Sequence, residues 1–178
     1  MDVSRRKLTN PHPGQQITNE EAGIIMDTTD EGAFAARLSG RFAGSTHILP
    51  VRIYYEDTDF SGIVYHANYL RFLERGRTDF LRLAGLDQSV LHAEGDLVFA
   101  VRRMLLDFLK PAHMDDVVIV ETSIAVMKGA SITMAQRIGR GGETLLTAEV
   151  LVAAIRDGRP ARLPDAVRAL LPQADGSP

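Results

Sequence analysis

The chain changes rhythm near residue 46. Before it, Met1–Ala22 mixes Asn, Gln, Pro and charge with no sustained period. In Gly32–Phe42, only Phe34, Leu38 and Phe42 repeat at helical steps, which predicts at most a short helix. A stretch of this kind buries too little apolar area to offset the entropy of ordering it. Residues 1–44 are therefore expected to be an N-terminal extension, partly disordered. From Thr46 the pattern sharpens. His47–Tyr55, rich in Ile, Val and Tyr, predicts a strand, and Glu56–Gly62 has the Asp, Thr, Ser and Gly of a turn. Tyr65, Tyr69, Phe72, Leu73, Gly76, Phe80, Leu83 and Ala84 then recur at three- and four-residue steps and share one face of a long helix. Gly76 is out of place in that apolar stripe. Glycine costs a helix about 1 kcal/mol against alanine, so a close approach to the backbone is expected there. Gly85 is placed to end the helix.

The remainder alternates with period two. Leu97–Leu109 is an apolar run interrupted at Arg102 and Arg103 and stopped by Pro111. Val117–Val126 is β-branched, with Val118, Val120, Ile124 and Val126 fitting one face. Lys128-Gly129-Ala130 makes a tight connection to a strand carrying Ile132, Met134 and Ile138. A Gly139–Gly142 turn leads to a strand over Glu143–Arg156, and Pro164 and Asp165 open a short helix over Ala166–Leu171. Short turns make neighbouring strands antiparallel. The expected fold is α+β: a five-stranded antiparallel sheet, one long helix and a short C-terminal helix, over residues 45–172, with 173–178 as a tail. Several strands are apolar at more than one phase, so a partner subunit is expected to cover part of the sheet.

Composition narrows the classes. The sequence of 178 residues is 45% hydrophobic and 24% charged, with net charge −3 and no cysteine. A core is affordable, disulfides and thiolate chemistry are excluded, and there is no basic stripe for nucleic acid. No run reaches the roughly 20 apolar residues of a bilayer span. The polar, partly acidic start, with Glu20, Glu21, Asp27, Asp30 and Glu31, lacks the features of a secretory or transit peptide. A cytoplasmic protein is expected.

Chemistry concentrates in Tyr55–Tyr69, Y-E-D-T-D-F-S-G-I-V-Y-H-A-N-Y, at a strand-to-helix junction. The first turn of a helix presents unpaired N–H groups with partial positive charge, suited to an oxyanion, and a nearby carboxylate can act as nucleophile or base. Other uses of the same residues compete. Asp57 and Asp59 are types that cap helices, and His66 is of a type often held in structural hydrogen bonds. The D-x-D-x-S-G run imitates half of a calcium loop, but position twelve is Asn68, not a bidentate Glu, so no metal site is expected. From residue types alone this is a candidate acid or base site beside a helix N-terminus.

The same fifteen residues resemble the signature of the 4-hydroxybenzoyl-CoA thioesterase family, and more narrowly the bacterial Tol–Pal-system-associated acyl-CoA thioesterases. Phe72–Thr78, Pro111–Asp116 and Gly158–Pro164 resemble the same subgroup, so the likeness runs from about Pro50 to Leu171. The resemblance implies a hotdog fold, in which the sheet wraps the helix and two subunits join their sheets, with Gly76 where sheet meets helix. It implies hydrolysis of an acyl-CoA thioester with no metal or redox cofactor, CoA being part of the substrate. Asp59 matches the catalytic aspartate, the N–H of His66 the oxyanion donor, and the His66 side chain and Tyr55 two further implicated groups. Gly62, Val64 and Tyr65 are expected at the substrate, with Phe60 and Ile63 also near the acyl group. A related clade keeps a catalytic Glu on the helix, where Glu74 lies, but a pair with Arg71 or Arg77 accounts for that residue. For the CoA phosphates, Arg102, Arg103, Lys110, Lys128 and Arg137 remain equivalent. A homodimer or tetramer is expected, with acyl carrier protein as a candidate second partner. The competing functions are an interaction module of the envelope or phospholipid-synthesis machinery, and a hotdog hydratase or dehydratase.

Overall fold

The computed structural model describes residues 37–86 and 97–172. Most of the expected extension and the tail 173–178 lie outside the described residues. The elements are β1 (Arg41–Ala43), β2 (Thr46–Arg52), a 3-10 turn (Tyr55–Asp57), α1 (His66–Leu83), β3 (Val98–Phe108), β4 (Val117–Met127), β5 (Ser131–Arg140), β6 (Glu143–Arg156), β7 (Arg159–Pro160) and α2 (Asp165–Leu170). The strands form one antiparallel sheet in the order β1-β2-β4-β5-β6-β3, with β7 against β6. The five long strands are the expected ones. The two additional strands are short.

Alternation decides which side of the sheet α1 covers. Leu49 and Val51 of β2, Val118, Val120 and Ile124 of β4, Met134 and Ile138 of β5 and Val150 of β6 are buried in one core with Tyr69, Phe72, Leu73 and Phe80 of α1. The seam between helix and sheet is tightest at Gly76. A Cβ there would meet Val120 Cγ1 at 2.8 Å and Thr122 Oγ1 at 2.9 Å, the close approach expected from the sequence. Beside it a buried polar node satisfies its own donors: Gln136 Nε2 donates to Leu73 O and Thr122 Oγ1, both at 2.9 Å, and Arg77 Nη1 donates to Gln136 Oε1 at 2.7 Å. Glu74 pairs with Arg77, one of the two partners expected for it.

The sheet begins at Arg41, inside the stretch assigned to the extension. Of the proposed helix over Gly32–Phe42, the described part is helical only at Arg37 and Leu38; the chain turns at Ser39, and Phe42 belongs to a hairpin between β1 and β2. Its ring packs edge-on against Phe80 at 5.3 Å and His47 at 5.7 Å. Tertiary burial of one ring outweighs a weak helical repeat. At the other border β3 pairs only with β6, so the far edge of an eleven-residue strand is unpaired among the described residues.

Candidate active site

Between β2 and α1 the chain is folded back by main-chain bonds. Ile53 N donates to Asp116 O at 2.9 Å and accepts at its carbonyl from Asp115 N at 3.0 Å. Asp57 is a structural acid. Its carboxylate accepts from Tyr54 N, and its carbonyl accepts from both Tyr65 N and Asn68 Nδ2, each at 2.9 Å. Asp59 sits in the next turn. Its N–H donates to Ile63 O at 2.9 Å, its carbonyl accepts from Gly62 N at 3.0 Å, and its Oδ1 accepts from Ser61 N at 2.8 Å. Gly62 closes the turn with φ +75°, and no atom lies near its missing Cβ, so glycine is required there by conformation rather than by space. Neither aspartate caps α1. The N-cap is Tyr65, with no side-chain bond, which corrects the capping reading.

The turn places Asp59 at a cleft of about 370 Å³. One wall is Ile63, Val64 and His66; the other is Phe108, Leu109, Lys110 and Pro111, with Tyr69 between them. His66 is the first residue of α1, so its N–H has no intrahelical partner. Phe108 stands edge-on to both His66 (6.5 Å between centroids) and Tyr69 (5.8 Å). An acid, a helix N-terminus and an apolar wall thus meet in one opening, a set able to hold a carbonyl, polarise it and deliver a nucleophile.

The expected residues separate into two groups. Asp59, His66, Val64 and Ile63 line the cleft, whereas Tyr55, Phe60, Gly62 and Tyr65 are not among its lining. Tyr55 is 80% exposed on the 3-10 turn, Phe60 is fully exposed at the loop tip, and Tyr65 lies against His66 with centroids 4.4 Å apart. The expectation that Phe60 faces the acyl group is corrected: a turn closed at Asp59 and Gly62 leaves the side chain between them pointing to solvent in this chain. Tyr69, Phe108, Leu109 and Pro111 were missed as site residues. The apolar run before Pro111 was visible, but nothing local to it points to Asp59.

Charge beside the cleft is mostly paired. Lys110 pairs with Glu143, which also meets Arg140, and Arg140 pairs with Asp116. Burial pushes the Asp116 carboxyl up, but the His113 N–H and Arg140 outweigh it and hold it below the usual carboxylate value. Lys110 holds the Glu143 carboxyl low, and burial raises the Tyr69 phenol. Among the five cations left equivalent by sequence, Lys110 lines the cleft, while Arg137 is held by Glu121 through two bonds of 2.6 and 2.7 Å and Arg103 meets Glu149 at 3.3 Å. Among the described residues no cluster of three or more acids and histidines could hold a metal, and no helix is long and apolar enough to cross a membrane.

Residues 61–147 match the family described as the Thioesterase superfamily. The acyl-CoA thioesterase YbgC of Haemophilus influenzae is 43% identical over 122 residues, which are 67% of this chain and 90% of that protein. The chain belongs to the thioesterase superfamily, and its sheet wrapped on one long helix is the hotdog fold. The acyl-CoA thioester hydrolase YbgC of Escherichia coli is 47% identical over 107 residues, 60% of this chain and 79% of that protein. A crystal structure of a probable thioesterase from Bartonella henselae has a TM-score of 0.64 at 43% identity, covering 67% of this chain and 99% of that one.

Proposed function

We propose that this protein hydrolyses acyl-CoA thioesters to a free carboxylic acid and CoA. The observation that carries the reading is the placement of the Asp59 carboxylate and the first turn of α1 on one cleft with an apolar wall. The bond from Ser61 N fixes Oδ1 of Asp59 and leaves Oδ2 for attack on the thioester carbonyl, directly or through a water. The His66 N–H, at the positive end of the helix, holds the oxyanion, and its imidazole borders the reacting centre. The C–S bond then breaks, and the thiolate leaves and is protonated to CoA. Where water attacks, Asp59 takes its proton and the acid is released at once; where Asp59 attacks, a water hydrolyses the acyl-aspartate anhydride and restores the carboxylate. Lys110 is the cleft's own cation for the CoA phosphates. Tyr55, outside the cleft, takes no part in this scheme. Closeness to acyl-CoA thioesterases supports the same reading over a hydratase or a purely non-catalytic module. The lack of cysteine fits action in the reducing cytoplasm.

The second copy implied by the unpaired β3 edge belongs to this reading. Val98, Val101, Leu105 and Phe108 leave that edge apolar and exposed, the state natural proteins avoid unless it is paired. A two-fold joining β3 to its copy borders the cleft, because Phe108, Leu109 and Lys110 end the same strand. Ile63, Val64, Phe108, Leu109 and Pro111 make up most of the lining, and the Tyr69 hydroxyl is taken up by Ala112 N, which supports a broad range of aliphatic esters.

The test is turnover of Asp59→Asn against wild type over acetyl, butyryl, hexanoyl, palmitoyl and 4-hydroxybenzoyl esters. Loss of the catalytic carboxylate lowers kcat by ~10³-fold or more. A variant keeping a tenth of wild-type turnover removes Asp59 from the chemistry and turns attention to Glu74. A preference above ~10⁴-fold for the hydroxybenzoyl ester overturns the broad acyl range, since only a dedicated polar partner gives that discrimination.

A further inference from the structure

Tyr69 is 3% exposed on the apolar face of α1, where phenylalanine would fill the same space. Its hydroxyl therefore needs a separate reason. It accepts the N–H of Ala112 at 2.8 Å, while the carbonyl of Ala112 accepts from Val64 N at 2.9 Å. Ala112 is thus tied to the floor of the cleft through one side of its backbone and to the opposite wall through the other. Leu109 and Lys110 are anchored at their own end, both donating to Leu145 O at 2.8 and 3.1 Å. The segment carrying Leu109, Lys110 and Pro111 is held by main-chain bonds at its two ends, with the Lys110 side chain also paired to Glu143, and the Tyr69 hydroxyl is half of the second attachment. The ring of the same tyrosine backs Phe108.

We propose that Tyr69 is a positioning residue that sets acyl-chain selectivity, its hydroxyl clamping Ala112 so that the Phe108–Pro111 wall stands at a fixed distance from Val64 and His66. This rests on the reading of the cleft as an acyl-CoA site. A short acyl group is held near Asp59 and His66, but a long chain depends on the wall. Each methylene kept in apolar contact strengthens binding about fourfold, so a wall that relaxes away from one or two methylenes weakens long chains by about four- to sixteenfold relative to short ones. Without the hydroxyl, the buried Ala112 N–H also loses its partner, which drives the segment to move.

The experiment compares wild type, Tyr69→Phe and Asp59→Asn on hexanoyl-CoA and palmitoyl-CoA, with kcat and KM resolved. For Tyr69→Phe the palmitoyl-to-hexanoyl ratio of kcat/KM is expected to fall by about fourfold or more, with the change carried by the palmitoyl KM. Equal loss on both esters, or no change, overturns the clamp, because a purely structural tyrosine does not distinguish chain lengths. Asp59→Asn separates the two readings: turnover retained there refutes the assigned catalyst, while the selectivity shift of Tyr69→Phe supports or refutes the clamp by itself. Hydrogen exchange in the wild-type protein gives a measure that needs no variant. The Ala112 amide is expected to exchange slowly, and exchange at the rate of an unprotected amide overturns the proposal.

Discussion

Replacing Gly76 by alanine sets two effects of known sign against each other. In an open helix the change stabilises by about 1 kcal/mol, because glycine is the poorer helix former. Here the added methyl would lie 2.8 Å from Val120 Cγ1 and 2.9 Å from Thr122 Oγ1, well inside the ~3.5–4.0 Å of favourable carbon contacts. Both neighbours are fully buried strand residues, and turning Thr122 aside breaks its bond from Gln136. The helix must instead lift from the sheet or the strand must bend, at the roughly 1–3 kcal/mol typical of overpacking, plus about 1 kcal/mol if the Gln136 bond is lost. Crowding wins. Gly76→Ala is expected to destabilise by roughly 1–2 kcal/mol, a Tm drop of about 2–8 °C for a chain of this size, and Gly76→Val by more than about 3 kcal/mol. Thermal and urea unfolding read the loss directly. Val120→Ala, which opens the space, supplies the control in a double-mutant cycle, because residues in contact couple and distant ones add. A Gly76→Ala variant that melts above wild type, or one whose effect simply adds to that of Val120→Ala, would show slack at the seam and refute the reasoning.

Acid stability follows from Asp116. Its carboxyl titrates lower in the folded protein than in the unfolded chain, so it contributes stability above the ordinary carboxylate value and loses it as pH falls through the folded value. Tm is expected to fall on acidification below about pH 5, less steeply in Asp116→Asn; an identical acid slope in the two proteins removes Asp116 from the account. Light scattering at micromolar concentration should give a dimer or a multiple of one, burying more than about 2,000 Å². Leu105→Glu, at a side chain 64% exposed on the β3 edge, should shift it towards monomer; a stable, active wild-type monomer refutes pairing through that edge.

What the sequence determined by itself is whatever has a local period or a local conformational demand. The stripe from Tyr69 to Phe80 defined α1 and its buried face, because neighbours three and four apart meet whatever surrounds them. Gly76 in that stripe announced the close approach, and the D-x-x-G turn was legible because φ +75° at Gly62 is open to few other residues. The roles of the two aspartates were not legible. Asp57 and Asp59 share a composition, and only the folded loop brings Tyr65 N and Asn68 Nδ2 onto one and leaves the other at the cleft. Proximity along the chain misled for Phe60, whose neighbour lines the cleft while it faces solvent. Phe42 looked helical until Phe80 and His47 gave its ring a place in the core. The far wall of the cleft was invisible for the same reason. Tyr69 and Ala112 are 43 positions apart, and their hydrogen bond depends on how β3 returns beside the start of α1, a register set by strand pairing with β6. Local chemistry therefore marked the proposed site, and long-range packing decided which side chains surround it.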